Sequence, residues 1–391
     1  MFRSTPPLQE HLRPVAVRDR PQADVDGYLD AVERRLRSLF GEQRVRWQHR
    51  YPQLGVGFDA VESFVLNGGK RLRPRFAYWG WVGAGGLRRP APNPIDAPPV
   101  AWSTPLVELG AAIELFHAFA LIHDDVMDGS ATRRHQPTVH HRFAALHGEA
   151  GWRGESRRTA EGFAILLGDL AFAWSSHLLV ALPAPVAALF DEMRIELHMG
   201  QYLDLFCAAT GDEDPATAAD VVRFKTAAYS VQRPLQLGAA LAACGATAPT
   251  APGSDGEPLD RCWTAYGLAV GEAFQHRDDL LGVFGDTAVT GKPVGDDLQA
   301  GKNTLLLQRT LAAAGAGSLE VLGGIGSGEL RPQDIEVIGT FMRDCGAVDA
   351  VERRIARLVC EAVAAVEAAP LEPEAADGLC SLARAAAWRA Q

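Results

Sequence analysis

Three aspartates that follow an apolar run are the residues most suggestive of chemistry. The stretch Ala118–Arg134 reads AFALIHDDVMDGSATRR, and Asp124, Asp125 and Asp128 lie in it ahead of an arginine pair. In a helix, Asp124 and Asp128 would share a face, because side chains four residues apart are neighbours. At about 5 Å and an effective dielectric near 20, each like-charge pair costs roughly 3 kcal/mol. Oxygen-only ligands suit Mg²⁺, although a solvated helix end explains one such cluster equally well.

A second acidic cluster repeats this pattern farther along the chain. The stretch Phe274–Asp286 reads FQHRDDLLGVFGD, so that Asp278 and Asp279 again end an apolar helical run. If the two helices face one another, their carboxylates form a cage for several Mg²⁺ ions and a polyphosphate. Two unrelated helix ends are the alternative, and the repetition makes that alternative the weaker one.

Basic residues cluster near the same motifs and would complete the neutralisation of a diphosphate. They are Lys70, Arg71, Arg73, Arg133, Arg134, Lys225, Lys292 and Lys302. Lysines fall almost entirely in these motifs, whereas arginines are spread along the chain. This distribution favours the interpretation that the lysines act as point charges that contact phosphate. A solvated lysine is the ordinary alternative for each one taken alone. The sequence has no GxxxxGK[ST] loop, which argues against a P-loop nucleotide hydrolase.

Composition narrows the class of protein. The chain has 391 residues, 47% apolar and 22% charged, so it can bury a large core. A net charge of −10 argues against nucleic acid as the main partner. Six scattered cysteines without a CxxC pair, and an N-terminus without an apolar targeting run, predict a cytoplasmic protein. The stretch 162–190 contains Asp169, His177 and two prolines, so we expect core helices there rather than a membrane span.

Helical periodicity accounts for most of the chain. Predicted helices cover 25–40, 58–66, 106–128, 163–182, 185–206, 217–244, 259–283, 304–313, 332–345, 347–369 and 374–389, and another opens at 70–74. Alternating β patterns are absent from the sequence. We therefore predict an all-α fold with one large helical domain over 23–391, after a flexible tail over 1–22. The Gly- and Pro-rich stretch 83–105 is predicted to be a mobile surface loop.

Five motifs together resemble the trans-isoprenyl diphosphate synthases of the polyprenyl synthase family, most of all those that make geranylgeranyl diphosphate. In chain order they read GGKRLRP, ELFHAFALIHDDVMDGSATRR, GQYLDL, KTAAYS and FQHRDDLLGVFGD…GKPVGDDLQAGK. The resemblance spans about 59–307 through these motifs and continues in helical character beyond them. It implies antiparallel helices around a central cavity, a homodimer, and isopentenyl diphosphate and an allylic diphosphate as substrates.

The resemblance also implies three Mg²⁺ ions in each active site. Asp124 and Asp128, with Asp125 between them, would bind ions that bridge the allylic diphosphate. In the second motif, Asp278 would bind the third ion, with Asp279 close by. Metal and cations would stabilise the departing diphosphate, so that the allylic C–O bond ionises to a carbocation. The isopentenyl double bond would attack that cation, and the released diphosphate would accept the proton then lost.

By the same resemblance, the basic and polar residues divide between the two substrates. Residues that would grip the allylic diphosphate are Arg133, Lys225 and Lys292, with Lys302 near the site entrance. Residues that would hold isopentenyl diphosphate are Lys70, Arg73, His117 and Arg134. Residues that would line the path of the cation are Thr226, Tyr229, Gln275, Gln201 and Asp204. For that last set, ordinary helix packing is the alternative. A lone histidine on an apolar helix face is more often a core residue, but His117 lies where the family carries its histidine.

Product length in the family depends on bulk one helical turn below the first aspartate. Phe119 and Ala120 occupy that level, and a single aromatic beside a small residue resembles members that make the twenty-carbon product. A role of Phe119 in the core is equally compatible with its position.

Two other functions remain open at this stage. A class I terpene cyclase shares the first aspartate motif and the all-α fold, but it needs an Asn/Ser/Glu metal motif where this chain has Asp278 and Asp279. A non-catalytic subunit of a heteromeric synthase is favoured only by Gly282, where many family members carry aspartate. Asp286, four residues after Gly282, is a carboxylate that could partly replace it.

Overall fold

A computed structural model describes residues 19–88, 103–211, 214–245, 256–285, 295–299, 301–314, 320–327 and 329–388. Its helices are α1 Asp19–Gln43, α2 Gly55–Leu66, α3 Leu72–Gly83, α4 Thr104–Met127, α5 Val139–Ala150, α6 Ser156–Leu179, α7 Ala184–Thr210, α8 Pro215–Val221, α9 Arg233–Cys244, α10 Gly256–Phe284, α11 Asp296–Gln299, α12 Leu305–Ala313, α13 Pro332–Asp344, α14 Ala347–Glu367 and α15 Pro373–Ala387. Short π or 3₁₀ turns cover Arg44–Gln48, Pro52–Leu54, Gly86–Arg88 and Glu320–Gly324. The prediction of an all-α fold is confirmed.

Helix α4 is the central element of the fold. A proline at position 105 suits the first turn, where its missing N–H is not needed, and apolar residues follow on every side of the helix. Leu109, Ile113 and Phe116 are fully buried, since α1, α3 and α6 pack around this helix. Among the described helices, α4 and α6 are long and apolar enough to cross a membrane. Within the fold, 67% of the apolar window of α4 is buried and 44% of that of α6.

An eleven-residue π-helical segment, Val222–Gln232, joins α8 to α9 without a break. Three glycines of the neighbouring helices allow its backbone to approach closely. A Cβ added at Gly200 of α7 would lie 2.6 Å from the backbone nitrogen of Lys225, and one added at Gly271 of α10 would lie 2.2 Å from the Cα of Ala227. At Gly267 the nearest atom would be the Cα of Gln232, at 2.4 Å. π-helical turns occur frequently at functional sites.

Two elements were not expected from the sequence. A two-residue hairpin pairs β1 (Thr132–Arg133) with β2 (Gln136–Pro137), and strands this short leave no alternating pattern to detect. Helix α5 follows it and buries Val139, Phe143 and His147 at four-residue spacing.

The predicted helix 217–244 is divided by the π-helical segment. The predicted loop 83–105 is partly helical, because α3 ends at 83 and α4 begins at 104. Its centre, 89–102, and residues 1–18 of the predicted tail lie outside the described residues.

Candidate active site

The first acidic motif lies at the C-terminal end of α4, where the helix dipole disfavours negative charge. The hairpin supplies a compensating cation. Nε of Arg133 donates to Oδ1 of Asp125 over 2.8 Å, and Nη2 lies 3.4 Å from Oδ2 of Asp124. Burial favours the neutral form of this guanidinium, but the carboxylates, Asp125 first, outweigh it and raise the pKa of Arg133. The hairpin therefore positions a permanent positive charge against the aspartates.

Lys225 of the π-helical segment is a second cation at this motif. Its Nζ lies 3.1 Å from Oδ1 of Asp124 and 2.6 Å from Oδ2 of Asp204 on α7. Burial raises the pKa of Asp124, yet Lys225 and then Arg133 outweigh it and hold the pKa below its usual value. The same contacts raise the pKa of Lys225 despite its burial. Asp124 is thus kept as a carboxylate and Lys225 as an ammonium.

Lys302 connects the two ends of the site. Its Nζ lies 3.5 Å from Oδ2 of Asp128 on α4 and 3.4 Å from Oδ1 of Asp297 on α11. Burial opposes its charge, but Asp297 and Asp128 raise its pKa. The segment that follows the second acidic motif is therefore held against the first motif by one ammonium.

The second acidic motif lies in the last two turns of α10. Nε2 of Gln275 donates to Oδ1 of Asp279 over 2.8 Å, and Oγ1 of Thr226 donates to Oε1 of the same glutamine, also over 2.8 Å. Asp279 is buried, and this burial raises its pKa above the usual range. Asp278 is exposed. Thr226 and Gln275 therefore form a polar bridge between the π-helical segment and the acidic end of α10.

Helix α10 is tied to the C-terminal helices by ion pairs beside this motif. Arg354 of α14 donates two hydrogen bonds to Glu272, at 2.8 and 2.9 Å, and His276 lies 3.2 Å from the same carboxylate. Burial raises the pKa of Glu272, but His276 and Arg354 outweigh it and lower the pKa to about 2. Arg277 makes a bidentate contact with Glu352, both distances being 2.7 Å.

A basic network lies around His117, two helical turns before Asp124 on the same face of α4. Nη1 of Arg73 lies 3.1 Å from Nε2 of His117, and Nη2 donates to Oγ of Ser230 over 2.8 Å. Nδ1 of His117 lies 2.5 Å from the hydroxyl of Tyr229, whose ring lies under the Arg73 guanidinium at 4.4 Å. Burial, followed by Arg73, lowers the pKa of His117 well below its usual value. A neutral ring that accepts from Arg73 at Nε2 carries its proton at Nδ1, so it donates to Tyr229.

Two further arginines belong to this network. Arg71 forms a buried ion pair with Glu114 of α4, and Nη1 of Arg134 donates to the carbonyl of Gly68 over 3.2 Å. Among the described residues, left-handed φ values outside glycine occur at Arg71 (48°), Arg134 (51°) and His135 (62°). Such backbone strain collects at binding sites.

Phe119 lies in an aromatic cluster one turn below Asp124. Its ring lies 5.1 Å from that of Phe172, 5.5 Å from that of Phe116 and 5.6 Å from that of His198, and it is 8% exposed. Ala120 is partly buried against the same core.

The structure brings together most residues expected at the site. Contacts join Asp124, Asp125, Asp128, Arg133, Lys225, Asp204 and Lys302, and also Thr226, Gln275 and Asp279. Gln201 contributes only a 3.5 Å contact to the sulfur of Met127, and Lys70 is exposed in the loop before α3. Lys292 and Asp286 lie outside the described residues.

Sequence reasoning missed several partners of these residues. Glu114 pairs with Arg71, Ser230 with Arg73, and Asp297 with Lys302. A glutamate on the apolar helix α4 was a usable signal, because a buried carboxylate needs a partner. Asp297 was visible in GKPVGDDLQAGK, although no feature of that motif distinguishes it from Asp296.

The donor set fits a hard divalent cation. It consists of carboxylate oxygens alone, and neighbouring cations keep Asp124 ionised. Within the described ranges, no three metal-ligating side chains converge on one point. The oxygens of a phosphate ligand are chemically suited to complete the coordination of such a cation.

Comparisons with known proteins identify the family. The sequence profile described as polyprenyl synthetase matches residues 58–335. A geranylfarnesyl diphosphate synthase from Aeropyrum pernix is 33% identical over 290 residues, covering 74% of this chain and 80% of that protein. A geranylgeranyl diphosphate synthase from Mycobacterium tuberculosis is 31% identical over 275 residues, covering 68% and 70%.

The fold points to the same family. A crystal structure of geranylgeranyl pyrophosphate synthase from Corynebacterium glutamicum, complexed with isoprenyl diphosphate and magnesium, has a TM-score of 0.83 to this chain at 35% identity. The match covers 94% of this chain and 99% of that one. The chain belongs to the polyprenyl synthetase family and is a prenyltransferase, a trans-prenyl diphosphate synthase.

Proposed function

We propose that the enzyme condenses isopentenyl diphosphate head-to-tail with an allylic diphosphate in a Mg²⁺-dependent reaction and releases diphosphate. The observation that carries this proposal is the contact of Lys302 with both Asp128 and Asp297, because it holds the segment that follows the second acidic motif against the first motif. A space lined by carboxylates and by Arg133 and Lys225 suits a metal–diphosphate complex.

The metal ligands would be Asp124 and Asp128 on α4 and Asp278 on α10, with Asp125 and Asp279 supporting them. When bound, Mg²⁺ supplies positive charge that stabilises the diphosphate leaving group. The magnesium in the Corynebacterium glutamicum neighbour supports the use of a divalent metal. The resemblance to the family is the ground for proposing three ions per site.

The protein's own cations would act on the allylic diphosphate. Arg133, Lys225 and Lys302 are paired with carboxylates in the structure, and their charges are maintained by those carboxylates. A diphosphate between them would accept hydrogen bonds from the same donors, and Lys292 would join them. Thr226 and Gln275 would direct oxygen dipoles at the allylic cation without acting as nucleophiles.

Isopentenyl diphosphate would be bound by the basic network around His117, two helical turns before Asp124 on α4. Arg73, Arg134 and Lys70 would contact its phosphates. His117 is neutral and already bonded on both ring nitrogens, so its contribution would be to orient Arg73 and Tyr229.

The product we propose is geranylgeranyl diphosphate. Relatives of this chain include synthases named for geranylgeranyl and geranylfarnesyl products. The aromatic cluster around Phe119, with Ala120 beside it, is a rigid floor of the kind that would stop elongation.

We also propose a cytoplasmic homodimer. Helix α7 exposes Ile195, Met199, Tyr202 and Phe206 by 53%, 54%, 66% and 48%, and these residues recur at three- to four-residue spacing along one face. A contiguous exposed apolar stripe of this kind marks a protein interface, and a second copy would cover it.

The deciding experiment is product analysis with the purified single chain. Isopentenyl diphosphate is supplied with dimethylallyl, geranyl or farnesyl diphosphate, with Mg²⁺ or with a chelator, and products are sized by mass spectrometry. We expect a twenty-carbon product that requires Mg²⁺ and is lost in Asp124→Asn. Hydrocarbons from geranylgeranyl diphosphate alone would identify a terpene cyclase instead, and an inactive wild-type chain would point to a regulatory subunit.

A further inference from the structure

Position 282 of the second acidic motif is filled by a residue from another element. Gly282 lies one turn after Asp278 on α10, so a side chain there would share the face of that aspartate. A Cβ built on Gly282 would lie 2.5 Å from Oδ2 of Asp297. The carboxylate of Asp297 thus occupies the space into which a side chain at 282 would extend.

The backbone fixes Asp297 in this place. The N–H of Gly295 donates to the carbonyl of Gly282 over 2.9 Å, which holds the start of α11 against the end of α10. The N–H of Lys302 donates to the carbonyl of Asp297 over 3.0 Å, and its ammonium lies 3.4 Å from Oδ1. Both ends of this short segment are therefore anchored around the carboxylate.

Asp297 lies beside residues of the candidate active site. It shares Lys302 with Asp128 of the first motif. Asp297 therefore contributes negative charge between the two acidic ends, where the motif itself has only glycine.

We propose that Asp297 supplies from α11 the carboxylate that Gly282 lacks and contributes it to the metal bound at Asp278. The inference rests on the proposed function, since it assumes that a metal–diphosphate complex binds between the two motifs. On this proposal, the second motif has its full set of carboxylates in three dimensions, although its sequence has glycine at position 282. The competing explanation is close packing. In that case glycine only allows α11 to approach α10, and the carboxylate of Asp297 only forms an ion pair with Lys302.

Exchange of the two positions separates these explanations. Binding of Mn²⁺, a paramagnetic substitute for Mg²⁺, is measured by electron paramagnetic resonance in the presence of inorganic diphosphate. Asp297→Asn keeps the shape and the contact with Lys302 but removes the charge, and we expect about 10- to 100-fold weaker Mn²⁺ binding. Gly282→Asp alone should also weaken binding, because two carboxylates then compete for one space. Gly282→Asp with Asp297→Ala should restore binding.

The matched control is Gly282→Ala with Asp297→Ala, which has the same space but no carboxylate and should stay weak. Exposed Asp344→Asn should behave as wild type. Wild-type Mn²⁺ affinity in Asp297→Asn, or equal weakness of the two double variants, would overturn the inference. Each variant is checked by thermal unfolding, and Asp297→Asn decides the question if the variants at 282 do not fold.

Failure of the proposed function has a different signature. If wild-type protein shows no diphosphate-dependent Mn²⁺ binding, or if Asp124→Asn leaves that binding unchanged, the metal–diphosphate site itself is wrong. If wild-type protein binds and Asp124→Asn does not, while Asp297→Asn binds normally, only the role of Asp297 is wrong.

Discussion

Nζ of Lys225 lies 3.1 Å from Oδ1 of Asp124, although 101 residues separate them in the chain. The contact joins the π-helical segment to the end of α4, and Asp204 shares the same ammonium. Arg133, Lys225 and Lys302 are thus paired with carboxylates of the site. A metal–diphosphate complex brings both charges, so it can replace these pairs without leaving a buried charge unpaired.

We expect Lys225→Gln to lower kcat/KM for the allylic substrate roughly 100-fold, because the variant lacks the ammonium that we propose as a donor to the leaving group. Steady-state kinetics with varied allylic diphosphate measures this loss. Arg223→Gln, at an exposed position two residues earlier, is the control and should retain activity. Equal kinetics of the two variants would show that Lys225 only pairs with Asp124 and Asp204.

His117 should act as a neutral residue over the working pH range. Burial and the neighbouring Arg73 lower its pKa well below the ordinary value of 6.5, which favours the uncharged ring. We expect His117→Phe to raise KM for isopentenyl diphosphate about tenfold, consistent with the loss of one or two hydrogen bonds that orient Arg73 and Tyr229. His117→Gln, which can still bond to Tyr229, should lose less.

The pH dependence of the KM for isopentenyl diphosphate tests whether His117 is neutral or charged when the substrate binds. The phosphate group of the substrate titrates in this range, so wild type and His117→Gln are compared at each pH. Their ratio should stay constant from pH 6 to pH 8. A ratio that changes around pH 6.5 would mean that His117 binds the substrate as a cation.

Phe119→Ala should give longer products, because removing the ring opens the floor beside Ala120. Mass spectrometry of products made from farnesyl diphosphate measures the change. The substitution also leaves a cavity, which costs about 3–5 kcal/mol for a buried phenylalanine, so the assay is run well below the melting temperature. Phe163→Ala, at a partly exposed ring on α6, is the control. Unchanged product length would assign Phe119 to the core alone.

Acid should weaken the attachment of α14 to α10 through Glu272. Its pKa falls from 4.5 to about 2 on folding, so the carboxylate contributes stability that is fully present above pH 4.5 and is lost as the pH falls towards 2. Urea unfolding of wild type and Glu272→Gln should therefore differ most near neutral pH and converge in acid. Exposed Glu149→Gln is the control and should match wild type throughout. A difference that is independent of pH would contradict the ion pair.

The apolar stripe on α7 should be an interface between two copies. Met199→Glu with Tyr202→Glu places charges on that stripe, and sedimentation velocity should then show monomers where the wild type shows dimers. Replacement of exposed Val180, which lies outside the stripe, by glutamate should leave the dimer intact. Monomeric wild-type protein at micromolar concentration would exclude the proposed assembly.

The sequence predicts the helices and motifs well, because α4 and α10 carry strong apolar periodicity that ends in carboxylates. It does not predict the hairpin that positions Arg133, since β1 and β2 are two residues each. The ion pair of Arg71 with Glu114 depends on packing between α4 and the loop before α3, which no local pattern encodes.

Position 282 is a second case in which a local sequence pattern does not predict a contact between distant elements. In sequence, Gly282 indicates a thinner second motif. The three-dimensional approach of α11 brings Asp297 to the same place, and a sequence motif read along one helix cannot contain a residue from another.

The π-helical segment has a consequence for how this gene can change in length. Its wider turns place Lys225, Thr226, Tyr229 and Ser230 against partners on α3, α4, α7 and α10. Deleting one codon between 222 and 232 would rotate the two sides of the cut relative to each other by roughly a quarter of a turn. Either Lys225 and Thr226 or Tyr229 and Ser230 would then lose their partners, even if every remaining residue were unchanged. Insertions and deletions in this enzyme should therefore be tolerated in its loops and eliminated from these eleven residues.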